Sequence, residues 1–503
     1  MHVGQALHQI IVHAAEAALM QDNDLSLRRA ALTSSVALAT SRLLASAGTG
    51  SQQQAHARAS MVHESMLQCV ASAVFHPHTG ATMLPIRALE HALSAATLPL
   101  PPHIVDATLS RALQHPVVAE AGALVRLLCN DTCARLAVPG AERSAVVMLD
   151  AVCMCAAASH DVYRSVARAV PATPPKGSGP LAWSPAVQLS FLCVSAFFVG
   201  TKDIYCSAKS QAVPGAAGQI LDALARVDVG RTHHGASPPV GYGILLESAV
   251  RRVSMHPQDA SALMRGIPAP SELQAGHDVA MLARSTFILR ALPFVLPVVL
   301  TARKEGLSSA ADMMHQLTQV VVPFSLVFAT SASTGQQACR AAHLIMRAVL
   351  AAVPAADFPD KGAVAEAYAR STLDAYQVLP ADILTLAFDA ALRAMPPQQA
   401  AGGSPHLALL NALATRVHET SSRTDAGETA RPLRIALFRT LGAMPPRLLN
   451  EALPIYDAAV RSLPANTSAR QEAVDSLCSA CSSIDVYHKR RCVDWCLRLA
   501  ASL

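Results

Sequence analysis

Apolar residues recur along the chain at steps of three and four, the spacing that places side chains on one face of an α-helix. The pattern is clearest between Phe287 and Met395, where the predicted helices are too apolar to stand alone. Pro380 separates two of them, and we expect it to open the second, because the first helical turn needs no backbone donor there. The two apolar faces comprise Val364, Tyr368, Thr372, Ala375, Tyr376 and Leu379, and then Leu384, Ala387, Phe388, Ala391 and Met395.

This pattern predicts an all-α fold, a helical-repeat (HEAT-like) α-solenoid with degenerate repeats. Between residues 363 and 482 the helix pairs recur about every 35–40 residues, within the range of helical-repeat solenoids. No consensus residue repeats with them, so the repeats are expected to be structural only. Alanine is the commonest residue and no train of alternating strands is visible, which favours helix over sheet.

Breaks in the pattern divide the chain into three predicted parts. Residues 1–170 form an N-terminal helical domain, residues 171–243 hold an apolar helix between two breaks, and residues 244–503 form a C-terminal helical-repeat domain. The breaks, 171–180 and 228–243, are rich in proline and glycine. Further helices are predicted over 2–20, 25–44, 60–74, 85–96, 103–114, 117–137, 142–157, 161–170, 185–199, 244–254, 258–265 and 276–304, and loops over 46–56, 396–405 and 419–429.

Several helix starts are predicted from capping residues. Asp24 and Asp485 are expected to cap the helices that follow them, because a short carboxylate can accept from the free backbone N–H groups of the first turn. Pro432 and Pro446 are placed at first helical positions. Residues 466–468 are expected to cap the helix that carries Glu472.

The composition indicates an ordered chain with mild charge. Hydrophobic residues make up 52% and charged residues 15%, so disorder throughout is excluded. The formal charge of +5 is small for 503 residues and comes almost entirely from arginine. A nucleic-acid binder gathers its charge into a stripe with interleaved aromatics. The densest cluster, His488–Arg491, is a single helical turn and reads as a solvated face, so no nucleic-acid partner is expected.

The twelve cysteines are expected to be reduced and mostly buried, because disulfide scaffolds are small secreted proteins. Cys478, Cys481, Cys492 and Cys496 form the sharpest pattern. Four thiolates at this spacing can bind zinc. Both pairs also have helical spacing, so two helices that present cysteine to a shared core explain the pattern equally well. The other pairs, Cys129 with Cys133 and Cys153 with Cys155, are predicted to be core residues.

No catalytic signature is present. The chain lacks His-Glu-x-x-His, a phosphate-binding Gly-x-x-x-x-Gly-Lys, a nucleophile elbow and the Rossmann glycine set. His76, His78, His233 and His234 lie in predicted loops without a carboxylate or cysteine at ligand spacing, and are interpreted as surface residues. The prediction is a protein that is not an enzyme, with no cofactor, no metal and no small-molecule substrate. A helical enzyme with an unrecognised site would need a concave pocket where ionisable groups meet.

Two stretches resemble membrane spans. Leu181–Gly200 is 20 residues long without a charge, the length that a bilayer requires, but its proline and polar residues favour a buried helix. Phe287–Ala302 is shorter and contains Arg290, so it reads as a core helix. The first residues lack the pattern of a signal peptide. The last three, Ala501, Ser502 and Leu503, match a peroxisomal address at the first and third positions only.

The segment from about Ser285 onward resembles the fungal intraperoxisomal peroxins numbered eight. The stretches that carry the resemblance are Val322–Ala329, Tyr368–Leu379, Leu386–Arg393, Ala436–Leu441 and Cys492–Leu497. The resemblance implies a non-enzymatic scaffold of peroxisome biogenesis, peripheral on the lumenal side of the membrane. Its partners would be the peroxisomal import receptor and the docking and ubiquitin-ligase complexes, which it would link to support matrix-protein import. The alternative is a cytosolic or nuclear HEAT-like scaffold in transport or complex assembly.

Overall fold

The computed structural model describes residues 50–96, 100–136, 142–169, 183–206, 213–269, 272, 278–330, 336–396, 404–421, 427–464 and 467–502. Within these ranges the regular structure is helical and contains no strand, so the predicted all-α fold is confirmed. By its contacts the chain divides into two compact units. The first comprises Met1–Gly266 and Ala275–Ile288, and the second comprises Ile267–Gln274 and Leu289–Leu503.

The first unit is built around one central helix. Its helices are α1 (Gly50–Phe75), α2 (Leu84–Ala95), α3 (Pro102–Leu113), α4 (Pro116–Leu136), α5 (Glu142–Ala169), α6 (Ser184–Gly200), α7 (Lys202–Tyr205), α8 (Ala216–Val227), α9 (Val229–Thr232), α10 (Tyr242–Val253), α11 (Pro257–Arg265) and most of α12 (Val279–Ala291). Helix α8 packs against α5, α6, α10 and α11. Helices on both sides of residues 170 and 243 therefore share one core, and the border between the units lies near 267–289 instead.

Close packing of α8 depends on a glycine. A Cβ atom at Gly218 would lie 2.1 Å from the carbonyl oxygen of Asp259, so only glycine lets α8 and α11 approach this closely. The same contact holds a buried ion pair. The Asp259 carboxylate accepts from Arg252 Nε at 2.9 Å and from the backbone N–H of Ala217 at 3.0 Å, at the first turn of α8. Asp259 thus satisfies an otherwise free helix-start donor while it pairs with a buried cation.

The second unit is a stack of helix pairs in two layers. Its helices are α13 (Val295–Glu305), α14 (Ala310–Gln316), α15 (Val322–Thr330), α16 (Gln336–Ala352), α17 (Lys361–Asp374), α18 (Ala381–Ala394), α19 (Pro405–Ser421), α20 (Gly427–Arg439), α21 (Leu449–Arg461), α22 (Ser468–Cys481) and α23 (Val486–Ala501). Helices α15, α17, α19 and α21 pack side by side in one layer, and α16, α18, α20 and α22 form the other. Each helix also packs against its partner in the pair. This is the predicted helical-repeat arrangement.

The repeat is longer than predicted. The first helices of three successive pairs begin at Lys361, Pro405 and Leu449, so the period is 44 residues in place of about 35–40. The connections account for the difference. Residues 395–404 separate α18 from α19, and two 3₁₀ turns, Thr440–Ala443 and Pro446–Leu448, separate α20 from α21. The spacing of apolar positions alone does not predict the length of these connections.

The predicted apolar faces around Pro380 are confirmed. Tyr368, Thr372, Tyr376 and Leu379 are buried, as are all five predicted residues of α18, whereas Val364 and Ala375 are only half-buried. Helix α17 itself stops at Asp374 and the chain continues as a 3₁₀ turn, Tyr376–Val378. Pro380 precedes the first residue of α18, in agreement with its predicted place.

Several predicted boundaries are wrong. The loop over 46–56 overlaps α1, because the glutamines and alanine after Gly50 are good helix formers. The loop over 419–429 is shorter, since α19 continues to Ser421 and α20 begins at Gly427. Pro432 consequently lies inside α20 and not at its start. The helix over 276–304 is interrupted by a 3₁₀ turn at Leu292–Phe294, where Pro293 cannot donate to the helical ladder.

The caps show a mixed outcome. The Asp485 carboxylate accepts from the backbone N–H of Tyr487 at 2.9 Å, which confirms it as the cap of α23. Thr467 precedes α22 without a side-chain capping bond. Pro446 begins a 3₁₀ turn. The helices predicted over 2–20 and 25–44 with the Asp24 cap, and the break over 171–180, lie outside the described residues.

By length and composition alone, two helical stretches could cross a membrane. They are Ala145–Ala169 and Val279–Glu305, and about half of each apolar window is buried inside the protein, 50% and 56% respectively. Core helices of water-soluble proteins pass the same test. Leu181–Gly200, the span considered from the sequence, contains the shorter apolar helix α6.

Candidate functional site

An open groove of about 600 Å³ lies on the second unit beside α14. Buried Ala310 and Met314 give it an apolar floor, and exposed Arg303, His315 and Gln319 give it a polar rim. The lining residues come from the end of α13, from α14 and the turn after it, and from the segment before α17. They are Arg303, Gly306, Leu307, Ala310, Ala311, Met314, His315, Thr318, Gln319, Asp357 and Pro359.

One end of the groove is set by the way α13 stops. Gly306 has a φ of +68°, in the left-handed region that glycine adopts without a Cβ penalty. The N–H groups of Gly306 and Leu307 both turn back to the carbonyl of Ala302, so the last carbonyls of the helix are satisfied. The chain then reverses into α14. Leu307 is left 41% exposed at the edge of the groove, which gives the surface an apolar contact point.

The groove wall contains a π turn. Residues Leu317–Val321 form this wider turn between α14 and α15. Pro323 explains it, because proline has no N–H to donate to the carbonyl of Gln319 four residues earlier, and its ring would clash with that carbonyl in a regular helix. Thr318 donates its hydroxyl to the carbonyl of Met314 at 3.0 Å within the same wall. The π turn therefore shapes the surface on which Thr318 and Gln319 lie.

An ion pair forms the polar end of the rim. Arg303 donates from Nε and from Nη2 to one oxygen of Asp357, at 2.9 and 2.8 Å. The Arg303 side chain is 54% exposed, so water screens the pair and its contribution to stability is small. The pair still fixes the segment before α17 against the end of α13. It also leaves a guanidinium and a carboxylate at the groove edge for polar groups of a bound molecule.

The groove offers both apolar and hydrogen-bonding contacts. Leu307, Ala310 and Met314 offer apolar contact, and the surrounding side chains offer hydrogen bonds along an open edge. Among the lining residues His315 is the one imidazole, and no serine or cysteine lies beside it to serve as a nucleophile. Sequence reasoning did not find this site. The one local signal was a proline inside an apolar helical stretch.

The structure brings the four C-terminal cysteines to one helix pair. Cys478 and Cys481 lie on α22, Cys492 and Cys496 lie on α23, and the Sγ atoms of Cys481 and Cys496 are 3.6 Å apart. Cys478 is exposed and the other three are buried. Across the described part of the chain, no group of three or more His, Cys, Asp or Glu side chains is placed to hold a metal ion. Three of the four thiols are thus buried, as the core interpretation expects, and Cys478 is not.

The hydrogen bond between Cys481 and Cys496 shifts the pKa values of the two thiols in opposite directions. The hydrogen bond from Cys496 is the main cause that lowers the pKa of Cys481; burial opposes it, and the charge of Lys489 assists it. The hydrogen bond to Cys481 is also the main cause that raises the pKa of Cys496, followed by burial, by the charge of Cys481 and then by the thiol of Cys478. Cys496 therefore keeps its proton and donates it toward Cys481.

The other predicted cysteine pairs are only partly in the core. Cys129 and Cys155 are buried, Cys153 is half-buried, and Cys133 is exposed. Cys133 contacts the carbonyl of Gly200 at 3.3 Å, at the end of α6. Its prediction as a core residue is wrong, because it lies near the end of α4, where the helix surface reaches solvent.

The predicted C-terminal address is folded at its start. Ala501 is the last residue of α23, and the backbone N–H of Ser502 bonds to the carbonyls of Arg498 and Leu499 at 3.1 and 3.0 Å. The Ser502 hydroxyl accepts from Arg461 at 3.2 Å. Leu503 lies outside the described residues. A receptor that reads an extended tripeptide would have to unwind this turn.

The loop histidines differ from one another. His76 Nδ1 accepts from the backbone N–H groups of His78 and Thr79, which closes the turn after α1. His233 is exposed as predicted. His234 instead packs against Tyr163 and Trp183, with its ring centroid 5.8 and 5.1 Å from theirs. Burial lowers the pKa of His234 to about 4, and the residue is half-buried where the sequence predicted an exposed loop position.

Comparisons with known proteins add little. No protein-family model matches the chain, and no curated protein matches it. Among solved structures, the chain is similar to a circular tandem repeat protein with novel repeat topology and enhanced subunit contact surfaces. The identity is 17%, 99% of this chain and 98% of that chain are covered, and the TM-score is 0.21. A score this low carries no argument about fold or function.

Proposed function

We propose that the protein is a non-enzymatic scaffold that binds other proteins through its second unit. The observation that carries the proposal is the open groove beside α14. Its apolar floor and polar rim suit a polypeptide segment with apolar side chains on one side and polar groups on the other. The two-layer stack supports it as well, because stacked helix pairs form a rigid frame for such a surface.

A substitution at the groove edge tests whether partners bind there. Leu307→Glu places a charge beside the apolar floor, where a bound segment would have to desolvate it. We expect affinity purification of this variant to lose partners that the wild-type chain captures. Leu344→Glu is the matched control, since Leu344 is a 55% exposed leucine on α16 that does not line the groove. Equal recovery of partners by both variants would contradict binding at the groove.

The specific setting we propose is peroxisome biogenesis, and it rests on the resemblance to the intraperoxisomal peroxins. In this setting the scaffold would be peripheral on the lumenal side of the membrane. It would link the import receptor to the docking and ubiquitin-ligase complexes and so support matrix-protein import. Such a protein should be released by alkaline carbonate and protected from added protease until the membrane is opened.

The subcellular localisation of the protein tests the proposed role in peroxisome biogenesis. A fluorescent fusion at the N-terminus leaves the C-terminal tripeptide free, and we expect it to give peroxisomal foci in cells with intact peroxisomes. Affinity purification from the same cells should recover import-receptor and ligase subunits. A diffuse cytosolic or nuclear signal with other partners would favour a scaffold in transport or complex assembly instead.

A further inference from the structure

The helix pair at the C-terminal end of the second unit contains an oxidisable thiol cluster. The Sγ atoms of Cys481 and Cys496 are 3.6 Å apart across the contact between α22 and α23. A disulfide needs a sulfur separation of about 2 Å, so a side-chain rotation or a small approach of the helices would close the bond. Both thiols are buried, so a dissolved oxidant does not reach them directly.

Cys478 gives the cluster a route to solvent. It lies three residues before Cys481 on α22, which places both thiols on the side of the helix that faces α23. Cys478 is exposed, and its thiol interacts electrostatically and by hydrogen bonding with Cys496. One sulfur of the cluster is thus open to solvent while it neighbours a buried one.

The lysine at the start of α23 adds a charge to this surface. The Lys489 ammonium donates to the carbonyl of Ser482 at 3.4 Å, across the turn that joins the two helices. Its positive charge favours the thiolate of Cys481. A thiolate is the form that attacks a disulfide sulfur, so this charge favours thiol–disulfide exchange at Cys481.

We propose that Cys478, Cys481 and Cys496 form a redox modification site in which a peroxide drives closure of a Cys481–Cys496 disulfide. The Cys478 sulfur attacks hydrogen peroxide, becomes a sulfenic acid and releases water. The Cys496 sulfur then attacks the sulfur of the sulfenic acid. The thiol proton of Cys496 joins the departing hydroxyl group, and a second water leaves. The Cys481 thiolate displaces Cys478 from the resulting disulfide, and Cys478 takes up the proton that Cys481 has lost. In total, two thiols and one peroxide become one disulfide and two waters.

The consequence for the protein is a tied C-terminal helix. Helix α23 buries only Cys492, Cys496 and Leu499, which is a narrow stripe for a helix of 16 residues. A disulfide between Cys496 and Cys481 would keep α23 attached to α22 even when the contacts of these three buried residues are broken. Because the closed loop spans 15 residues between the two cysteines, we expect oxidation to raise the thermal midpoint of the second unit by about 5–10 °C.

The experiment uses the full chain and dilute hydrogen peroxide. Peptide mapping should find a Cys481–Cys496 disulfide. The intact protein should be lighter by two hydrogen atoms, and dithiothreitol should reverse the change. Cys478→Ser should form it several-fold more slowly, whereas Cys69→Ser, which removes an exposed thiol of the first unit, should leave the rate unchanged.

The wild-type chain alone can overturn the proposal, so the test does not depend on a variant that folds. The proposal fails if Cys496 stays reduced while the exposed Cys69 and Cys133 become oxidised. It also fails if the mapped disulfide joins other cysteines, or if Cys478→Ser reacts as fast as the wild type.

Discussion

His343 and Tyr368 form a buried polar contact in the second unit, with the imidazole Nδ1 and the phenol oxygen 2.5 Å apart. Burial is the main cause that lowers the pKa of His343 to about 4; the carbonyl of Ala329 opposes it, and the charge of Arg347 assists it. The imidazole is therefore neutral in the folded protein at neutral pH. In the unfolded chain it titrates near its ordinary pKa of about 6.5.

The sign of the pH dependence follows from this difference. Between about pH 6.5 and pH 4 the unfolded chain binds a proton at His343 that the folded chain does not, so acidification favours unfolding. We expect His343 to remove about 3 kcal/mol of stability as the pH falls through that range. In His343→Asn, which keeps a polar group near Tyr368, urea unfolding should show a correspondingly weaker loss. His160 and His234 act in the same direction in both variants, so parallel pH profiles would contradict the assignment.

The Asp259 carboxylate in the first unit should be far more important for stability than an exposed carboxylate. Asp259 is 1% exposed and pairs with Arg252 while it caps α8. We expect Asp259→Ala to cost about 3–5 kcal/mol, because it removes one partner of a buried pair. Asp203→Ala is the control: Asp203 is 88% exposed beside Lys202, and its loss should cost under about 1 kcal/mol in urea unfolding. Similar losses in both variants would argue against a buried ion pair.

The burial of some residues can be predicted from the sequence alone, and that of others cannot. The apolar positions of α18 were predicted because helical spacing decides which side chains face the neighbouring helix. The partial burial of His234 was not predicted, because it depends on Tyr163 and Trp183, which come from two other parts of the chain. Buried Asp259 could not be predicted from spacing either, since a charge enters a core only where the fold supplies a partner.

At the scale of the element, helix ends depend on single backbone positions. Gly306 ends α13 in the left-handed region, and Pro323 forces a π turn before α15. The sequence predicted a helix end at residue 304, close to the observed end at Glu305. The π turn was not predicted, because Pro323 lies in a stretch whose apolar pattern continues without a break. The groove is formed at these two interruptions. A pattern of hydrophobic spacing therefore predicts the helices but misses the site between them.

Two glycine substitutions should have opposite effects. Gly306→Ala forces a side chain into the left-handed region and should destabilise the second unit by about 1 kcal/mol. Gly122→Ala lies inside helix α4, where an added Cβ meets nothing within 4 Å, and should stabilise the first unit by about 1 kcal/mol. Urea unfolding of both variants checks the pair. The same sign in both would contradict the role given to backbone conformation, because an added Cβ meets no atom within 4 Å at either site.

At the scale of the whole molecule, the chain holds one unit around a central helix and one unit of stacked pairs. The sequence predicted the stacked pairs because each of their helices is apolar on the side of its neighbour. It did not predict the unit around α8, since contacts between α5, α8 and α11 join residues far apart in the chain. The border between the units follows these long-range contacts and not the proline- and glycine-rich breaks.

The stack should exchange its amide hydrogens unevenly. Helix α18 packs against α16, α17 and α20, whereas α23 follows the last pair and buries three residues. Because local opening is easier where fewer apolar contacts must be broken, we expect α23 to exchange faster than α18. Hydrogen-exchange mass spectrometry of the reduced protein measures this directly. Equal protection of the two helices would contradict a stack that is stabilised pair by pair.

The 44-residue period of the stack also has a mechanical consequence. Each pair holds only the pairs before and after it, so tension applied along the chain is borne by one interface at a time. A pair that detaches converts its folded length into slack, and 44 residues of fully stretched chain measure about 150 Å. Pulling on the second unit would therefore lengthen it one pair at a time, by about 150 Å for each of the pairs that begin at Lys361 and Pro405.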